Sequence, residues 1–179
     1  YQYVAGRLIN YHLRKQVYGT FTPPCLCDIV QENIDAGFYD AEFIDLYTKD
    51  EINQLQEYID HERDEVLTYA AMEQFRGKYL VQNRATGKIF ETPQVAYIMI
   101  AATLFSKYPA ETRMSYVKAY YDAISLFKIS LPTPVMAGVR TPQRQFSSCV
   151  LIETDDSLDS INATTSSIVK YVSQKAGIG

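Results

Sequence analysis

The chain has little of what several functional classes require. It holds only two histidines and three cysteines in 179 residues. An odd, sparse cysteine count argues against a secreted disulfide scaffold, and two histidines leave few bases for hydrolytic chemistry. Basic charge is not in excess: 17 Lys and Arg stand against 21 Asp and Glu, a net charge of −4 at pH 7. That removes the general electrostatic footprint of a nucleic-acid binder, though a few local groups can hold a phosphate whatever the total. No apolar run approaches the roughly 20 residues of a membrane span, and no signal peptide is visible. The sequence starts at Tyr1 rather than Met and stops at Gly179 after a strongly patterned segment, so both ends read as cuts through a longer protein. What is plentiful is apolar and aromatic: 47% hydrophobic residues, with 15 Tyr and 8 Phe. That suffices for a buried core and argues against disorder.

The first two thirds read as helical. Val4, Leu8, Tyr11 and Val17 lie on one helical stripe, broken by Gly19 and then Pro23-Pro24. Cys25 to Ala36 suits a second helix closed by Gly37. Thr48-Lys49-Asp50-Glu51 has the form of a capping box, opening a helix through Ile52, Leu55, Tyr58 and Ile59. Another helical stretch ends at Arg76-Gly77. Lys78 to Val81 and Lys88 to Glu91 flank a polar loop with Gly87, the pattern of a hairpin. Two long helices follow, about Pro93 to Ser106 and Ala110 to Phe127. The acidic run Asp60, Glu62, Asp64 and Glu65 reads as a solvated face, and Tyr116, Tyr120 and Tyr121 as packing.

The grammar changes after Phe127. Pro132, Pro134 and Gly138 exclude a long helix from Ile129 to Arg140. Ser148-Cys149-Val150-Leu151-Ile152 is an apolar run of β formers, read as a buried strand. Asp155-Asp156-Ser157 offers N-caps for an amphipathic helix whose apolar side carries Leu158, Ile161, Ile168, Val169 and Val172 and which ends at Gly177. The fold class is therefore α/β with a helical N-terminal part. Residues 1–127 form a mainly helical region and 128–179 the start of an α/β domain.

The residues able to carry chemistry have plain readings as well. Cys149 in an apolar strand is by default a small core residue. As a hydrolytic nucleophile it would need a nearby base, and His12 and His61 both lie in the other region. Cys25 and Cys27 are two apart, unlike a zinc pair, and no metal site is expected. Thr133 between two prolines sits on stiff, extended backbone, which suits presenting one hydroxyl to a ligand and equally suits an ordinary turn. Asp156 is most simply part of a helix cap, but a carboxylate there could accept hydrogen bonds from ribose hydroxyls. Asn162-Ala163-Thr164 matches a glycosylation acceptor by chance.

Taken together, these segments form a longer string. Ile129-Ser-Leu-Pro-Thr-Pro-Val-Met-Ala-Gly-Val-Arg-Thr-Pro, followed by Arg144-Gln-Phe-Ser-Ser-Cys-Val-Leu-Ile-Glu, resembles the first active-site segment of class I ribonucleotide reductase large subunits. The likeness continues through Asp156-Ser157-Leu158-Asp159-Ser160-Ile161-Asn162 to Ser173-Gln174-Lys175-Ala176-Gly177-Ile178-Gly179. Upstream it takes in Tyr1 to Ala5, His61 to Asp64 and Gly77 to Asn83, so it covers essentially the whole chain. The resemblance implies a ten-stranded α/β barrel preceded by a helical domain. It implies reduction of ribonucleoside diphosphates by thiyl-radical chemistry in the cytoplasm, supplying DNA precursors. Cys149 would then be one of two reducing thiols, staying protonated near the substrate 2′ position. Ser148 would contact the ribose, Thr133 the diphosphate, and Ala176 and Gly177 would place backbone close to the substrate. Asp156, Ser157 and Leu158 would open an allosteric site for a deoxynucleoside triphosphate or ATP at a large-subunit homodimer interface. The implied partners are a radical-generating, metal-containing small subunit and thioredoxin or glutaredoxin as reductant.

The same resemblance places the radical cysteine, its neighbouring Asn and Glu, the partner of Cys149 and the redox tail beyond Gly179, and an ATP-binding domain before Tyr1. The chain alone is therefore expected to be inactive. The family commonly has Gly before the effector-binding Asp, whereas here Asp155 stands there. An added carboxylate disfavours an anionic effector. Two other readings stand beside the reductase: a truncated, non-catalytic nucleotide-binding homologue, and a hydrolase using Cys149.

Overall fold

The computed structural model describes residues 1–174 and 176–179, and Lys175, part of the matched string, lies outside the described residues. Helices dominate, and α6 (Pro93–Phe105) is the central one, with every residue from Pro93 to Ala102 buried. It can be apolar all round because other elements cover every side. Around it pack α4 (Lys49–Tyr58), α7 (Ala110–Ser125), a 3₁₀ segment (His61–Val66) and the short α8 (Thr133–Gly138). On the 3₁₀ segment and α5 (Tyr69–Gln74) lies α1 (Gln2–Tyr18); α2 (Leu26–Asp35) packs on α4, and α3 (Glu42–Leu46) adds Phe43 to the core. Close approach explains Gly6, because a Cβ there would lie 2.0 Å from the Leu67 carbonyl oxygen.

Local chemistry sets the helix ends. Both halves of the capping box form: the Thr48 amide donates to Glu51 (2.9 Å) and the Glu51 amide to Thr48 Oγ1 (3.3 Å). Glu51 also receives Arg113 from α7, Nε at 2.8 Å, so one carboxylate caps α4 and ties it to α7. Cys25 is the N-cap of α2, and Gly37 beyond its end has φ 73°. Tyr121 is fully buried in the core, whereas Tyr116 stacks half-exposed on Phe105.

Several expectations need correction. The helical stretch expected to end at Arg76-Gly77 runs on as a π turn, Phe75–Tyr79. The first hairpin strand is therefore later than expected, β1 (Gln82–Asn83), and pairs antiparallel with β2 (Lys88–Ile89), which starts where expected but is shorter, with Gly87 at φ 72°. Thr133 is not on extended backbone. Pro132 is the N-cap of α8 and Pro134 sits in its first turn, where a missing amide costs nothing. Asp64 is not on a solvated face; it is fully buried. Residues 148–152 are not a buried strand either: Cys149 and Leu151 are exposed, and the pairing is one parallel bridge, Val150 to Ile178. Two backbone hydrogen bonds with residues 177–179 hold this segment, too few to bury it. Between the bridged residues runs α9 (Leu158–Ser173), capped by Ser157 and ending before Gly177. Strand, helix and parallel return is the pattern of a βαβ unit. None of the α9 residues is buried.

Candidate active site

The site is assembled where the chain returns on itself. The Val150 amide donates to the Gly177 carbonyl (2.8 Å) and the Gly179 amide to the Val150 carbonyl (3.1 Å). These bonds lay residues 177–179 against Ser148 and Cys149. A Cβ on Gly177 would stand 2.4 Å from the Ser148 carbonyl oxygen, and one on Gly179 2.6 Å from Cys149 Sγ. Only glycine lets the two backbones approach this closely. The Cys149 thiol is exposed, Ser148 is exposed beside it, and Ala176, the residue before Gly177, is buried. The structure thus brings together Ser148, Cys149, Ala176 and Gly177 out of the residues expected around a substrate ribose. Thr133 lies elsewhere, at the first position of α8, exposed, and no hydrogen bond links it to Cys149 among the described residues.

The expected effector residues sit at the start of α9. Ser157 is the N-cap and its hydroxyl accepts from the Ser160 amide (3.2 Å). Asp156 and Leu158 are exposed, Leu158 at 85%. Asp155 adopts no positive φ, so no left-handed strain attaches to Asp at that position. Its amide donates to Ser160 Oγ (2.8 Å), adding a second local bond to the turn.

A polar cluster in the body below escaped sequence reasoning. Glu91 and Arg140 form an ion pair in which neither side chain has any exposed surface. Arg140 Nε donates to Glu91 Oε2 at 2.9 Å, Nη1 to the Met136 carbonyl at 2.7 Å and Nη2 to the Tyr79 carbonyl at 3.0 Å. Glu91 also accepts from the Val81 amide (2.7 Å) and the Tyr39 hydroxyl. Burial, then the neighbouring carboxylate, pushes that phenol well above its ordinary range. Both charges are thus fully hydrogen-bonded, the condition under which a buried pair is tolerable. The pair locks the end of α8 to the hairpin, the π turn and the 38–40 loop. The one sequence signal was weak: charged residues at 91 and 140 close to otherwise apolar stretches.

Beside the 141–145 segment opens a cavity of about 740 Å³, walled also by the π turn and hairpin, with Ser173 and Gln174 at its edge. Among the described residues no group of three or more His, Cys, Asp or Glu is placed to hold a metal, and no helix is long and apolar enough to cross a membrane.

Residues 65–144 match the family described as the ribonucleotide reductase all-alpha domain. Over all 179 residues the chain is 62% identical to ribonucleoside-diphosphate reductase 1 subunit alpha of Escherichia coli (strain K12). It is 62% identical to the ribonucleoside-diphosphate reductase subunit alpha of Haemophilus influenzae and 49% identical to that of Enterobacteria phage T4. In each case the whole chain is matched and 24% of the relative is covered, so the chain spans about a quarter of the length of these relatives.

Proposed function

We propose, from the premise that this chain belongs to the ribonucleotide reductase large-subunit family, that it contributes half of an active site reducing ribonucleoside diphosphates in the cytoplasm. The observation that carries this reading is the exposed Cys149 thiol pressed against glycine backbone at 177–179. A thiol that must meet a sugar needs open space on one side and no competing side chain on the other. In the reaction, loss of the substrate 2′ hydroxyl as water consumes two electrons. Cys149 and a second thiol supply them by becoming a disulfide, which thioredoxin or glutaredoxin then reduces. The radical that starts the reaction comes from a metal-containing small subunit.

Ser148 then orients the ribose, Thr133 binds the diphosphate, and the Ala176–Gly177 backbone lines the floor. Asp156, Ser157 and Leu158 open an effector site for a deoxynucleoside triphosphate or ATP at the interface between two large subunits. The exposed apolar side of α9 supports an interface there: Leu158, Val169 and Val172 present apolar surface to solvent. The parallel bridge from Val150 to Ile178 across α9 supports reading residues 148–179 as the first βαβ unit of a ten-stranded barrel, with 1–127 as the helical region before it.

The test is deoxynucleotide formation from a ribonucleoside diphosphate by the complete large subunit with its small subunit and a dithiol reductant. Cys149→Ser is expected to abolish sustained product formation. Equal turnover by both proteins would remove Cys149 from the reaction.

A further inference from the structure

We propose that the cavity between the β1–β2 hairpin and the 141–145 segment binds an oligophosphate-bearing small molecule of nucleotide size, held by Lys78, Arg84 and Arg144. This goes beyond the reading above, because none of the three belongs to the substrate or effector groups assigned there.

The first argument is charge. On a chain with 21 acidic and 17 basic residues, this cavity is lined by three basic side chains and no acidic one among the described residues. The cations come from the π turn, the hairpin loop that follows it and, far along the chain, the segment after α8. All three side chains are exposed, so nothing in the packing of the core requires them to meet here.

The second argument is free donors. Lys78 is exposed and has no ion-pair or hydrogen-bond partner among the described residues. Arg84 gives Nη1 to the Gly77 carbonyl (2.9 Å), which leaves the rest of its fork open. Arg144 is more engaged, giving Nη1 to the Thr141 and Gln143 carbonyls (3.0 and 3.1 Å) and Nη2 to Asp40, a carboxylate outside the cavity lining with which an incoming anion would compete. Planar guanidinium forks suit phosphate oxygens, and an ammonium adds a point charge. Three separated cations match a ligand carrying several phosphate charges better than a single carboxylate.

The third argument is size and rigidity. About 740 Å³ is within the range of small-molecule pockets and admits a nucleotide-sized molecule. Its walls are pinned from below, since Arg140 donates to the Tyr79 carbonyl (3.0 Å) while its own carbonyl accepts from the Asp40 amide (3.0 Å). Walls already fixed in place lose little freedom on binding.

The experiment is titration calorimetry of the intact protein with inorganic tripolyphosphate at low and moderate salt. Binding is expected, weakening as salt rises. The double variant Lys78→Ala, Arg84→Ala is expected to weaken it at least about tenfold, since it removes two of the three cations and their charge-assisted hydrogen bonds. Both side chains are exposed, so the fold should survive, and an unchanged unfolding midpoint checks that. Asp40→Asn removes the one carboxylate engaging Arg144 and is expected to tighten binding, a gain that misfolding cannot produce. No binding by the unmodified protein, or equal binding by the double variant, overturns the proposal. None of these readouts depends on turnover, so they stand or fall separately from Cys149.

Discussion

Asp64 carries a carboxyl group with no exposed surface, and only one of its oxygens has a partner: Oδ1 accepts from Gln94 Nε2 at 2.7 Å. Burial pushes its pKa up from 3.8 to about 7. The folded protein therefore holds a proton there that the unfolded chain has released. The stability this group contributes is complete below about pH 4 and is lost as pH rises through about 7. His61, three residues earlier, runs the other way. Burial, then Arg14, lowers it to about 4, so its contribution is present above 6.5 and lost as pH falls through about 4. Asp64→Asn keeps the shape and removes the charge. The variant is expected to unfold at a higher temperature than the unmodified chain at pH 8, with the gap shrinking towards pH 5. A gap independent of pH would mean that the carboxyl does not titrate in this window. Sequence alone could not have found this residue. It lies in an acidic run whose other members face outward, and a 3₁₀ turn rather than an α-helix decides which member points in.

Elements whose ends are chemically marked were legible, and elements defined by distant partners were not. Thr48 and Glu51 announced α4 because both halves of the cap are local. The π turn at 75–79 carries no comparable mark, so the first hairpin strand falls later than the sequence pattern placed it. Residues 148–152 have strand composition, but burial depends on neighbours that composition does not encode. The grouping of Ser148, Cys149, Ala176 and Gly177 was legible only through the family string; the glycine contacts that produce it needed coordinates. α9 was read correctly as amphipathic, yet no residue of its apolar stripe is buried within the described residues. An isolated helix of this length is marginal in water. In the isolated chain, backbone amides of α9 are expected to exchange with solvent orders of magnitude faster than those of α6, by hydrogen-exchange mass spectrometry. Equal protection would mean that α9 is held by more than its own hydrogen bonds.

At the scale of the molecule, the buried Glu91–Arg140 pair joins segments that the order of the chain keeps far apart. Replacing Glu91 with Ala leaves a guanidinium in the interior without its counter-charge. That is expected to cost about 3–5 kcal/mol in urea unfolding, whereas Glu91→Leu with Arg140→Met should recover most of the loss. If Glu91→Ala cost under about 1 kcal/mol, the pair would not be the joint described above. The cost profile also constrains descent. Each partner alone is a liability once the other is gone, so a lineage leaving this arrangement must pass through a poorly folded ancestor or change both positions almost together. The two sites should therefore drift as one character, and a descendant lacking one of them should be found lacking the other.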